Sequence, residues 1–145
     1  MGSRPVEVRL FLHLNIALGG NTVGDTVFYH PGHQALVAYK NKHYLLLGGR
    51  TATEGHLSGW TTSKGEAWRD AEDGSLERVP LSFGSVDCVG ELRLGMVEKE
   101  QPTVAHAWLA AGSNLQEVGE LHNFVLQRGP DTLINRTHHY WQAWV

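Results

Sequence analysis

The chain has 145 residues, 12 Lys and Arg against 15 Asp and Glu, and a net charge of -3. That length suits about one domain, and without a basic stripe or aromatic-basic interleaving no nucleic-acid partner is expected. With one cysteine, Cys88, no internal disulfide can form, and no stretch reaches the roughly 18–20 apolar residues that cross a bilayer, so a membrane is not an expected partner either.

Met1-Gly2-Ser3 reads as an expression scar, and residues 1–5 as an added start. Leu10 to Leu18 is superficially like a signal peptide, but His13 and Asn15 interrupt the apolar run and alternation explains it better, so the cytoplasm is the favoured compartment. Val6, Val8, Leu10, Leu12, Leu14 and Ile16 alternate with Glu7, Arg9, Phe11, His13 and Asn15, the period-2 pattern of a long strand with one apolar face. Gly19-Gly20-Asn21 breaks it with turn chemistry. Thr26–His30, Ala35–Tyr39 and His43–Leu47 then read as an antiparallel meander, turned by Pro31-Gly32 and Lys40-Asn41-Lys42. His43–Leu47 is nearly continuous in apolar residues, which predicts burial on both faces.

Residues 49–82 read as a long, Gly- and Thr-rich loop, and so long a loop inside a compact domain is usually functional or missing its support. Strand patterning resumes over Val86–Leu94 and Thr103–Leu109, around a turn at Glu98–Gln101. The tail from Ser113 predicts a helix, with a Ser113 hydroxyl available as N-cap and Leu115, Val118, Leu121, His122, Val125 and Leu126 on one side. Gly129-Pro130 stops it. A second helical pattern carries Leu133, Ile134, Thr137, Tyr140, Trp141 and Trp144 on one face, and such an aromatic face is expected to dock on something. The fold class is therefore mainly β, an antiparallel β-sandwich over residues 6–112 with one or two C-terminal helices over 113–145.

For chemistry, the long loop offers Glu66, Asp70, Glu72 and Asp73 beside Trp60 and Trp68. Carboxylates beside aromatics are what sugar hydrolysis uses: one protonates the glycosidic oxygen and another attacks or activates water across roughly 5–9.5 Å. Asp70, Glu72 and Glu66 are the candidate catalytic groups, and Trp60, Trp68, Arg69 and Asp73 the candidate substrate contacts. Asp73-Gly74 is also a plain turn signal, and four acids in a loop are normally solvated. His30-Pro-Gly-His33 and His138-His139 lack a third ligand at recognisable spacing, so no metal is expected. Gly19-Gly20 and Gly48-Gly49 match no phosphate-binding fingerprint, and no cofactor is expected.

Several stretches together resemble one family. They are Val8–His13, the Gly19-Gly-Asn-x-x-Gly-Asp-Thr26 turn, Gly65-Glu-Ala-Trp68-Arg-Asp-Ala-Glu-Asp-Gly74, Gly84-Ser-Val-Asp87, Ala107-Trp-Leu-Ala-Ala-Gly112, Arg128-Gly-Pro and Arg136-Thr-x-x-Tyr-Trp-x-Ala-Trp144. In this order they resemble the amino-terminal region of bacterial glycoside hydrolase family 15 proteins, the glucoamylase, glucodextranase and trehalase group. The resemblance implies part of a large antiparallel super-sandwich, with Leu133–Trp144 matching the linker helix that leads to an (α/α)6 barrel. In that family the general acid and base are glutamates of the barrel, which this sequence lacks along with the family's first strands. It thus implies a carbohydrate-related accessory sandwich, covering its bare edges by homo-oligomerisation. The alternative is a small free-standing hydrolase or sugar-binding module working through the Trp60–Gly74 loop.

Overall fold

A computed structural model describes residues 4–145, and the expression-scar reading of Met1, Gly2 and Ser3 lies outside the described residues. Among the described residues eight strands form two antiparallel sheets. The small sheet joins β1 (Val6–Asn15), β7 (Asp87–Val97) and β5 (Gly59–Ser63) in the order β1-β7-β5. The large sheet joins β2 (Asp25–His30), β3 (Ala35–Lys40), β4 (His43–Thr51), β6 (Leu81–Gly84) and β8 (Ala105–Gly112) in the order β6-β2-β3-β4-β8. Among the described residues there are also three α-helices, α1 (Ala67–Glu72), α2 (Leu115–Arg128) and α3 (Pro130–Gln142), and one short 3-10 turn at Leu18–Gly20. None of the helices described is long and apolar enough to cross a membrane.

Strand alternation decides which side chains meet. Between the sheets lie Ile16, Val27, Leu36, Ala38, Leu47, Val86, Cys88 and Leu92, with Leu12, Leu14, Tyr29 and Trp60 packed against them. A second cluster, Ala35, Val37, Leu46, Ala110 and Val118, forms on the outer side of the large sheet beneath α2. Leu46 and Leu47 therefore point into different cores, which is why the β4 run carries no polar alternation. In β1, by contrast, Leu10 and Val6 remain exposed on the predicted apolar face, because the other sheet does not reach them.

The expectation of a structureless loop over 49–82 is corrected: β4 runs on to Thr51, β5 and α1 fall within the range, and β6 begins at Leu81. β5 is a Gly-Trp-Thr-Thr-Ser strand whose buried threonines are satisfied across the fold rather than locally. Thr62 Oγ1 donates to Val79 O at 3.0 Å and meets Ser82 Oγ at 2.8 Å, while Thr61 Oγ1 accepts from the Val79 amide at 3.2 Å. Residues 79–80 also bond to Thr62 and Tyr29 through backbone groups, so this segment bridges β5 of one sheet to β2 of the other.

The helix start is corrected by one residue. Asn114, not Ser113, is the N-cap of α2: its side chain accepts from the Glu117 amide at 2.8 Å, and the Ser113 hydroxyl donates to Glu117 Oε2 at 2.8 Å. Replacing Asn114 with Ala is expected to cost about 1 kcal/mol in urea unfolding, with Ser113→Ala nearer neutral; the reverse order would return the cap to Ser113. At the far end Gly129, with φ of 85°, takes the left-handed turn that ends α2, and Pro130 opens α3 at its first position.

Candidate functional site

The predicted acidic segment forms α1 and its flanks, laid on the outer face of the small sheet. One side chain from outside the segment holds it there. Asp87, 1% exposed, accepts from the amides of Gly65 and Ala67, each at 2.9 Å, and from His13 Nε2–H at 2.8 Å. A six-residue helix has almost no cooperative stability of its own, and Glu66 at its N-cap makes no side-chain cap bond. Asp87 supplies the missing acceptor from the neighbouring strand. At the other end of the helix Arg9 Nη1 donates to Gly74 O at 2.6 Å and lies 3.7 Å from the buried Glu91, which Arg93 Nε also meets at 3.0 Å. Gly59 leaves room for that carboxylate: a Cβ there would strike Glu91 Oε2.

Beside α1 opens a cleft of about 360 Å³ lined by Thr62, Glu66, Arg69, Asp70, Asp73 and Glu77 among others. Three of its four acids are engaged locally. Glu66 Oε1 accepts from Arg69 Nη1 at 3.1 Å, Asp70 Oδ2 from the Glu77 amide at 2.8 Å, and Asp73 Oδ1 from the Ser75 amide at 2.8 Å, an Asx turn. Glu72 is exposed and outside the cleft lining. A catalytic acid is ordinarily set in apolar, water-poor surroundings; here Asp70 is half-buried and Glu66, Glu72 and Asp73 stand in solvent.

The two tryptophans part company. Trp60 points between the sheets, its ring stacked on Tyr29 with centroids 4.2 Å apart and planes 8° from parallel. Trp68 is on the outer face, 42% exposed, with the Arg69 guanidinium 5.1 Å from its ring centre. The segment thus brings Glu66, Arg69, Asp70 and Asp73 to one cleft and leaves Trp60, Trp68 and Glu72 out of its lining. No group of three or more His, Cys, Asp or Glu among the described residues is arranged to hold a metal.

Other surfaces were not signalled by the sequence. On the outer side of the large sheet, beyond α2, Tyr39 and Tyr44 stack at 5.2 Å, Phe28 stands edge-on to Tyr39 at 6.1 Å, and Leu81 and Phe83 of the edge strand β6 are exposed. Alternation of single apolar residues conceals such a band until cross-strand register is known. On the inner side, Leu109 of edge strand β8 is 55% exposed although its register partner Leu47 is buried.

These features define a class: an antiparallel two-sheet sandwich with a helix on each outer face and apolar surface left open at its edges. No protein-family model matches the chain, and no curated protein does. Among solved structures, the fold is similar to part of a bacterial glucoamylase complexed with acarbose, with a TM-score of 0.72 and 12% identity. The match covers 94% of this chain and 20% of that one, so the chain spans about a fifth of the glucoamylase chain's length. The similarity is one of fold.

Proposed function

We propose that the chain is a non-catalytic, carbohydrate-associated β-sandwich domain related to the glucoamylase group, and that it associates with itself. The observation that carries this reading is the apolar surface uncovered at the sheet edges, on α3 and just past its end: Phe83 at 61%, Leu109 at 55%, Trp141 at 62% and Trp144 at 72% exposure. Unprotected edges and apolar faces of this kind favour pairing with another chain. The open cleft beside α1, with Glu66 paired to Arg69 and Asp70 and Asp73 held by backbone amides, fits a scaffold better than a bond-cleaving site.

The test is incubation of the purified chain with aryl and natural glucosides beside Asp70→Asn and Glu72→Gln variants, with light scattering of the same samples. The expected result is no turnover by any of the three, and a species larger than the 16.1 kDa chain. Hydrolysis that falls at least tenfold in either variant would instead establish the free-standing enzyme reading at the Trp60–Gly74 segment. A monodisperse monomer would end the self-association half of the proposal.

A further inference from the structure

α2 is fastened to the large sheet by a polar seam of unusual composition. His122, 2% exposed, lies among Trp108 of β8, Gly48 of β4 and the β2–β3 turn. Trp108 Nε1–H donates to His122 Nδ1 at 3.0 Å, and His122 Nε2 lies 3.0 Å from His33 O. An indole nitrogen can only donate and a carbonyl can only accept. The two contacts together therefore require the neutral imidazole with its proton on Nε2. A proton added at Nδ1 would face the indole N–H, exchanging a hydrogen bond for two opposed donors in a buried place.

The next ring repeats the arrangement. His30 Nδ1 accepts from the His33 amide at 3.1 Å, and the His30 and His33 rings lie 4.5 Å apart, with His33 5.7 Å from His122. Among the described residues no carboxylate is bonded to any of these three rings. The remaining titratable or charged groups of β4, β8 and α2 are His43, Tyr44, Arg50, His106, Glu117, Glu120 and Arg128, with Asp131 following at the start of α3. Glu117 is occupied with Ser113. His106 Nε2 meets Asp131 Oδ1 at 2.7 Å, a bond in which the imidazole donates whether or not it is charged.

We propose that this seam is an acid-opened latch, with His122 as its pin: protonation of the imidazole releases α2 from the large sheet while the His106–Asp131 bond keeps the α2–α3 corner attached. Opening uncovers Val37, Leu46 and Ala110, and so extends the bare outer surface that begins at Phe83.

Burial holds the His122 ring below the ordinary histidine range; the hydrogen bond to the His33 carbonyl works against this, and the nearby His33 ring adds to it. His33 is lowered too, by burial and then by His30. The sign follows. The opened state returns the ring to the ordinary histidine value, about 6.5, so above that pH both states are neutral and the seam contributes fully. As pH falls below about 6.5 the opened state takes the proton first, and the contribution declines until the closed-state value is passed.

The experiment is hydrogen exchange and imidazole NMR on the full chain. Between pH 7 and 5.5, protection factors of the α2 amides from Val118 to Leu126 are expected to fall roughly tenfold, with those of β7 unchanged. His122→Asn, which keeps an acceptor for Trp108 but cannot titrate, is expected to remove most of that dependence. If that variant does not fold, the wild-type ring decides: His122 remaining the neutral Nε2–H tautomer below the ordinary range supports the latch. A His122 ring that titrates at or above about 6.5 overturns it. So would constant α2 protection, an equal loss in β7, or an undiminished pH dependence in a folded His122→Asn.

Discussion

Asp87→Ala is expected to lower the unfolding free energy by about 3 kcal/mol and to free the segment from Gly65 to Gly74. The magnitude follows from what the carboxylate leaves behind. Two backbone amides, Gly65 and Ala67, and the His13 ring nitrogen lose their acceptor at once, in a place where Asp87 is 1% exposed and water cannot readily replace it. Asp87→Asn keeps one oxygen able to accept but turns an amide group toward a neighbouring donor, so a smaller loss of about 2 kcal/mol is expected. Urea unfolding measures both, and exchange at the Gly65 and Ala67 amides locates the effect. A loss under about 1 kcal/mol for Asp87→Ala, or unchanged protection at those amides, would mean that Arg9 and the Gly74 carbonyl suffice to hold α1 on the sheet.

That contact also explains what the sequence could and could not convey. The meander of β2, β3 and β4 is legible because alternation and turn residues are local, and the doubled apolar run Leu45–Leu47 foretells a sheet covered on both sides. The Gly129-Pro130 break is legible for the same reason. β5, α1 and β6 are not: Thr61 and Thr62 are buried because Val79 and Ser82 satisfy them, and α1 is capped by a residue 20 positions beyond its first. A short element that depends on distant partners has no periodicity of its own to detect. The acidic cluster around Asp70 could be read as a cluster, but not its assignment to turns and ion pairs. That Trp60 faces Tyr29 rather than solvent follows from its pairing opposite Gly90, and register is a property of two strands.

The Gly48→Ala substitution is expected to be about as damaging, at roughly 3 kcal/mol, and to act through α2. The backbone at Gly48 has no left-handed φ, so alanine is conformationally acceptable, and the cost is one of space. A Cβ there would lie 2.5 Å from Trp108 Nε1 and 2.7 Å from His122 Nδ1, the two atoms of one hydrogen bond, both in rigid rings. Neither ring can retreat without breaking that bond or the one to His33 O. Two other glycines separate this from a general intolerance. Gly119→Ala would bring a Cβ 2.5 Å from His33 Nε2, but His33 is only half-buried and its ring can swing aside, while alanine favours the helix by up to about 1 kcal/mol. Gly55→Ala meets nothing within 4 Å and is expected to stay within about 0.5 kcal/mol of wild type. The decisive comparison is Gly48→Ala made in a His122→Ala background, where half of the obstruction is gone. There its cost should fall well below the value in the parent chain, because contacting residues are not additive. Equal costs in the two backgrounds would show that the ring of His122 is not what the added methyl meets, and would remove the steric basis assigned to Gly48 in fastening α2 to the sheet.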